Sequence, residues 1–163
     1  MATRQIGVQR FSLTSPKPFE DVIASLEAAV GRPEMNAFFR DIALTRTYGE
    51  LEKAIHRVIG VSGFMEFVRF DLGEILRKER ADAPRSLRLV IGNPLIMKRM
   101  VEHVPDAGSY APVTILVDER PDGVHLSYDK MASFLAPYQS PKALKVAQEL
   151  DFKIEALLTA AAG

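Results

Sequence analysis

Residues 113–128 constrain this chain most. The apolar run 113–117 leads into Arg120-Pro121-Asp122-Gly123, and Val124-His125-Leu126-Ser127-Tyr128 follows at once. Pro121 pre-sets a turn angle and Gly123 tolerates angles that other residues resist, so the connection is tight. A tight connection has no room for a crossover helix, so the two strands pair antiparallel.

The rest of the chain is read against that hairpin. Leu87-Arg88-Leu89-Val90-Ile91 is a strand with Leu87, Leu89 and Ile91 on one face. Residues 64–72 form another, crowded by Phe64, Met65, Phe67, Val68 and Phe70. Residues 6–13 alternate in two pieces, Ile6/Val8 and then Phe11/Leu13, and the phase change predicts a bulge or bend. Ser15-Pro16-Lys17-Pro18 stops that strand, and Phe19, Val22, Ile23, Leu26, Ala29 and Val30 recur at helical spacing. Gly31 stands where a left-handed helix cap is expected. Asn93 is a natural N-cap, with Pro94 at the first helical position. Leu95, Ile96, Met97, Met100 and Val101 supply the buried side of the helix that follows, which Pro105 closes. Leu144, Ala147, Leu150, Ile154, Leu157 and Leu158 line a last helix of about 19 residues, ~28 Å long at the helical rise.

Residues 32–60 are the least typical part. Phe38, Phe39, Ile42 and Leu44 form either a short helix or an irregular stretch. Thr47-Tyr48-Gly49-Glu50 is a capping box, so a helix follows with Leu51, Ile55, Val58 and Ile59 on one face. The order predicts an α+β fold in two layers: a curved antiparallel sheet with helices packed on one face. With 163 residues, the chain divides into a single domain over 1–140, with 32–60 as a helical insert, and a C-terminal helix over 141–163 that packs on the domain or on a partner. A parallel dinucleotide-binding pattern is not supported, because strand–helix alternation fails in the second half.

Composition removes whole classes of chemistry. There is no cysteine, which excludes disulfides, zinc–thiolate sites, iron–sulfur clusters and thiol nucleophiles. Lys plus Arg equals Asp plus Glu at 21 each, which argues against a nucleic-acid partner. No apolar run approaches the ~20 residues of a membrane span, and the N-terminal residues carry no signal-like stretch. The bacterial cytoplasm is the expected compartment, with no membrane partner. Gly-rich phosphate loops, nucleophile elbows and His-Glu-x-x-His motifs are all missing.

Several segments resemble the DUF302 family, a domain of unknown function. They are Leu89-Val90-Ile91-Gly92-Asn93-Pro94, Pro112-Val113-Thr114-Ile115-Leu116-Val117-Asp118 and Ser127-Tyr128-Asp129, with Ser15-Pro16-Lys17-Pro18-Phe19-Glu20-Asp21-Val22 at the first strand-to-helix corner. The resemblance covers about residues 8 to 137, interrupted by the atypical segment 32–60, and leaves the last helix outside. It implies a small two-layer fold whose curved sheet grips a helix, a tendency to form homodimers, and no established activity. Many members carry cysteines where this chain has Gly92 and Val113, so a thiol role does not transfer.

The candidate chemistry is sparse. His56, His103 and His125 have no partner at metal-ligand spacing, so neither a metal nor another cofactor is expected. Gly92-Asn93-Pro94 is a helix cap, or an anion site on the free N–H groups of the helix start. Tyr128 and Asp129, with His103 and Tyr110 near the preceding helix end, are candidates for a proton-transfer cluster. The bland reading is a buried Tyr hydroxyl satisfied by a carboxylate. Met65, Met97, Met100 and Met131, with Phe64, Phe67, Phe70 and Phe134, are core residues or the wall of an adaptable cavity. Two functions follow. One is a homodimeric binding module for a small apolar or amphipathic ligand, held by Asn93, Met97, Met100, Tyr110 and Tyr128. The other is a cofactor-free enzyme with Tyr128, Asp129 and His103 as catalytic candidates.

Overall fold

A computed structural model describes residues 3–163. The hairpin is present as β4 (Val113–Arg120) and β5 (Gly123–Asp129), paired antiparallel from Ile115↔Tyr128 to Arg120↔Gly123. Gly123 sits at φ 138°, and a Cβ there would lie 2.7 Å from the Ser15 carbonyl oxygen, so the turn requires glycine. Before the hairpin come β1 (Arg10–Ser15), β2 (Met65–Asp71) and β3 (Ser86–Gly92). The sheet order is β1-β5-β4-β3-β2, antiparallel throughout.

The helices are α1 (Phe19–Ala29), α2 (Met35–Leu44), α3 (Tyr48–His56), α4 (Leu72–Arg77), α5 (Pro94–Val101), α6 (Met131–Leu135) and α7 (Pro141–Ala162). The fold is therefore α+β, as the element order predicts. Leu89, Ile91, Ile115, Val117, Leu126 and Tyr128 point from the sheet into one core, which Val22 and Leu26 of α1, Met100 of α5 and the buried face of α7 complete. Full burial of each such side chain contributes about 1.5–3 kcal/mol. On the opposite face, register sets Ser12, Ser127, Leu116, Arg88 and Phe70 in one row across the five strands.

The observed elements depart from the sequence reading in four places. The first strand begins only at Arg10, and the sheet's bulge lies in β2 between Glu66 and Val68. Gly31 adopts no left-handed angle; instead it bridges Met65 as a short parallel contact. The last helix has 22 residues, because Ser140 caps it one residue before Pro141. Its apolar face packs on α1, α5 and α6 within the same chain. Ser15 Oγ donates to the Ala162 carbonyl at 2.7 Å and Lys17 Nζ to that of Ala161 at 3.3 Å, so a cation meets the negative end of α7.

Residues 32–59 leave and rejoin the body at one point. Gly31 N–H and Gly60 N–H both donate to the Phe64 carbonyl, at 2.9 and 2.8 Å. A Cβ on Gly31 would lie 1.8 Å from Val58 O, and one on Gly60 2.2 Å from Ala29 O. Above this crossing, α2 and α3 build a second small core from Phe38, Ile55 and Met65. Glu34 caps α2, accepting from Asn36 and Ala37 N–H. The capping box forms at α3 in a shifted version: Thr47 Oγ1 accepts from Glu50 N–H, while the Glu50 carboxylate accepts from Arg46 N–H, one residue before the N-cap.

Candidate functional site

Between this insert and α5 lies a cleft of about 430 Å³, within the usual range for small-molecule sites. Phe38, Phe39 and Ile42 of α2 and Leu51 and Ile55 of α3 form one wall. Asn93 to Lys98 and Met100 form the other, with Phe67 of the β2 bulge, Pro112 and Leu150 closing the rest. The bulge matters here because it lets Phe67 meet Phe38 edge-on, with ring centroids 6.5 Å apart.

The cleft interior is poor in hydrogen-bonding groups. Asn93 Oδ1 accepts from Leu95 N–H at 2.9 Å, and Asn93 Nδ2 donates to the Gly63 carbonyl at 2.9 Å. Ile96 and Met97 N–H both donate to Asn93 O, and Pro94 has no N–H. The start of α5 is thus a capped helix end whose N–H groups at Leu95, Ile96 and Met97 all bond to Asn93. Among the described residues, Lys98 is the one charged member of the lining. Its ammonium stands half-exposed at the mouth, 2.9 Å from Glu102 Oε2 and 5.4 Å from the Tyr48 ring centroid. The Glu102 carboxylate raises the Lys98 pKa, and Lys98 lowers that of Glu102.

The structure divides the sequence-nominated ligand residues between two places. Asn93, Met97 and Met100 line the cleft. Tyr110 borders a separate trough of about 420 Å³, with Arg10, Arg88, Thr114, Ser127 and Asp129; Tyr128 belongs to its edge, but its ring points the other way, into the core. That trough lies on the uncovered face of the sheet, where the Tyr110 ring stacks on Phe134 at 4.8 Å.

Tyr128, Asp129 and His103 do not meet. Successive strand residues point to opposite faces. Tyr128 is buried under α7, where its hydroxyl donates to Asp151 Oδ1 at 2.7 Å. Asp129 faces the other way and forms a two-point pair with Arg10, at 2.6 and 2.8 Å. Arg10 thereby holds the Asp129 carboxyl below the usual carboxylate range. His103 lies past the end of α5, 3.7 Å from the Glu102 carboxylate. Burial, reinforced by Asp151, raises the Tyr128 pKa and keeps its proton in place.

Asp151 was not nominated from the sequence, yet it organises this region. Its carboxylate accepts from Tyr128 and from the N–H groups of Met131 and Ala132, at 2.7, 2.7 and 3.1 Å. It thus caps α6 from another helix. Burial pushes its pKa up, opposed by these hydrogen bonds. The sequence signal was a charge at the helical spacing of Ala147, Leu150 and Ile154. Among the described residues, no three His, Asp or Glu side chains converge to hold a metal, and no helix is long and apolar enough to cross a membrane.

Comparison with known proteins places the chain among relatives. The family model described as "Domain of unknown function DUF302" matches residues 40–161. The match runs through the last helix, which the sequence resemblance had left outside. A crystal structure of an uncharacterised conserved DUF302 protein from Bacillus stearothermophilus superposes with a TM-score of 0.65 at 14% identity, covering 93% of this chain and 97% of that one. No curated protein matches the sequence.

Proposed function

This chain belongs to the DUF302 family, and from that premise we propose that it is a homodimeric binding module for a small apolar or amphipathic molecule held between α5 and the helical insert. The observation that carries the reading is the cleft: a wall of Phe, Ile, Leu and Met side chains around about 430 Å³, whose interior polar atoms bond to the protein itself. Burying a polar group there without a partner costs about 1–3 kcal/mol, whereas an apolar group gains about 25 cal/mol per Å² removed from water. Met97 and Met100 add adaptable walls. Self-association is supported by apolar surface left uncovered near β2 and α4, where Phe70, Ile75 and Leu76 are 47%, 67% and 51% exposed.

A neutral solvatochromic dye such as Nile red, titrated into the protein, tests the site. Binding with a blue-shifted emission is expected, and Met97→Trp, which fills the cleft, should weaken it at least tenfold while the fold is retained. Dye binding unchanged by Met97→Trp, or none at all, sinks the reading. Native mass spectrometry reads the other half, since a monomer at tens of micromolar removes the dimer.

A further inference from the structure

We propose that the cleft selects a single-headed anionic amphiphile, with its hydrocarbon or ring portion inside and a carboxylate-type head on Lys98 at the mouth. The inference rests on the binding reading above and narrows it by chemistry. Asn93 uses both ends of its amide, Pro94 has no N–H, and the next three N–H groups of α5 are bonded to Asn93. A polar head drawn inside therefore meets at most the second N–H of the Asn93 amide and loses the rest of its hydration. It stays at the mouth, where Lys98 is the only charged member of the wall among the described residues.

An ammonium has three N–H donors. One is aimed at Glu102 Oε2, 2.9 Å away, and the other two remain for a ligand oxygen. The Glu102 contact is an exposed pair one helical turn apart, with side chains about half in solvent, and such pairs are weak competitors. The Lys98 ammonium, carried by α5, stands over the ring of Tyr48 of α3, with the centroid 5.4 Å away. A cationic head would face Lys98 directly and be repelled. A neutral head would lose only the charge-assisted part of the contact.

Three ten-carbon probes separate these cases by displacement of Nile red at low ionic strength: decanoate, 1-decanol and decylammonium. Decanoate is expected to bind about three- to tenfold more tightly than the alcohol, with decylammonium weakest. Lys98→Gln should abolish the advantage of decanoate over the alcohol. Glu102→Gln, which frees the ammonium, should enlarge it, and added salt should shrink it. Equal binding of acid and alcohol, or an acid preference that survives Lys98→Gln, overturns the anionic-head assignment and leaves the apolar site standing. A preference for decylammonium overturns it in favour of Glu102. If no probe displaces the dye, or the dye itself does not bind, the assignment falls together with the binding reading.

Discussion

Tyr128 and Asp129 are adjacent, yet one reports on the core and the other on the surface. The Tyr128 hydroxyl donates into a buried carboxylate that also serves two backbone N–H groups of α6. Tyr128→Phe deletes one of three donors and should cost about 1.5 kcal/mol, the scale of a hydrogen bond to a charged acceptor. Asp151→Ala strands the Tyr128 hydroxyl and Ala132 N–H and leaves Met131 N–H only the Tyr128 hydroxyl, 3.1 Å away, and should cost about 3 kcal/mol. Urea denaturation of both single variants and the double variant measures the coupling. If Tyr128→Phe is neutral, the hydroxyl does not hold Asp151. Residue types alone suggested a Tyr satisfied by a carboxylate. They gave no means of choosing Asp151, twenty-three residues further on, over the neighbouring Asp129.

At the scale of elements, the helical insert stands on a glycine crossing. Gly31 and Gly60 pass so closely that a Cβ on either enters backbone atoms of the other strand of the crossing, within 1.8 and 2.2 Å. Backbone cannot rotate aside as a side chain does, so Gly31→Ala and Gly60→Ala should each destabilise by about 3 kcal/mol, at the upper end of overpacking costs. Gly49, in the first turn of α3, has nothing within 4 Å of its would-be Cβ. Gly49→Ala should be neutral or stabilise by up to about 1 kcal/mol through helix propensity. Equal behaviour of the three variants in chemical denaturation would show that the crossing is not tight. The same crossing holds α2 and α3 over α5, so loss of the neck should also weaken dye binding in the cleft. The sequence marked Gly31 as a helix stop, a local role that needs no neighbour.

For the whole molecule, acid stability follows from the ion pairs that tie strands to their neighbours. Arg85 holds Glu119, and Arg10 holds Asp129, below the usual carboxylate range. An acid whose folded pKa is lowered contributes stability above its unfolded value, ~4, and loses it as pH falls through the folded value. Asp151 works in the opposite sense, since its raised pKa adds stability in the protonated form and loses it as pH rises through that value. The acid limb below about pH 4 should therefore be flatter in Arg85→Gln than in the parent chain, as read by urea midpoints between pH 6 and pH 3. An unchanged limb would show that the pair carries no linkage. What the sequence determined by itself was whatever short-range geometry decides: the β4–β5 hairpin from its turn residues, the Asn93-Pro94 cap, the capping box at Thr47 and the buried stripes of α1 and α7. These depend on backbone preferences and on the periods of strand and helix, which act within a few residues. Only the tertiary structure decided that Phe38, Leu51 and Phe67 face Met97 across one cleft, that Asp151 reaches Tyr128, and that His103 stands apart from both. Those outcomes depend on where distant segments come to rest, which is set by packing the whole core and by a bulge and a glycine crossing whose consequences no local pattern carries.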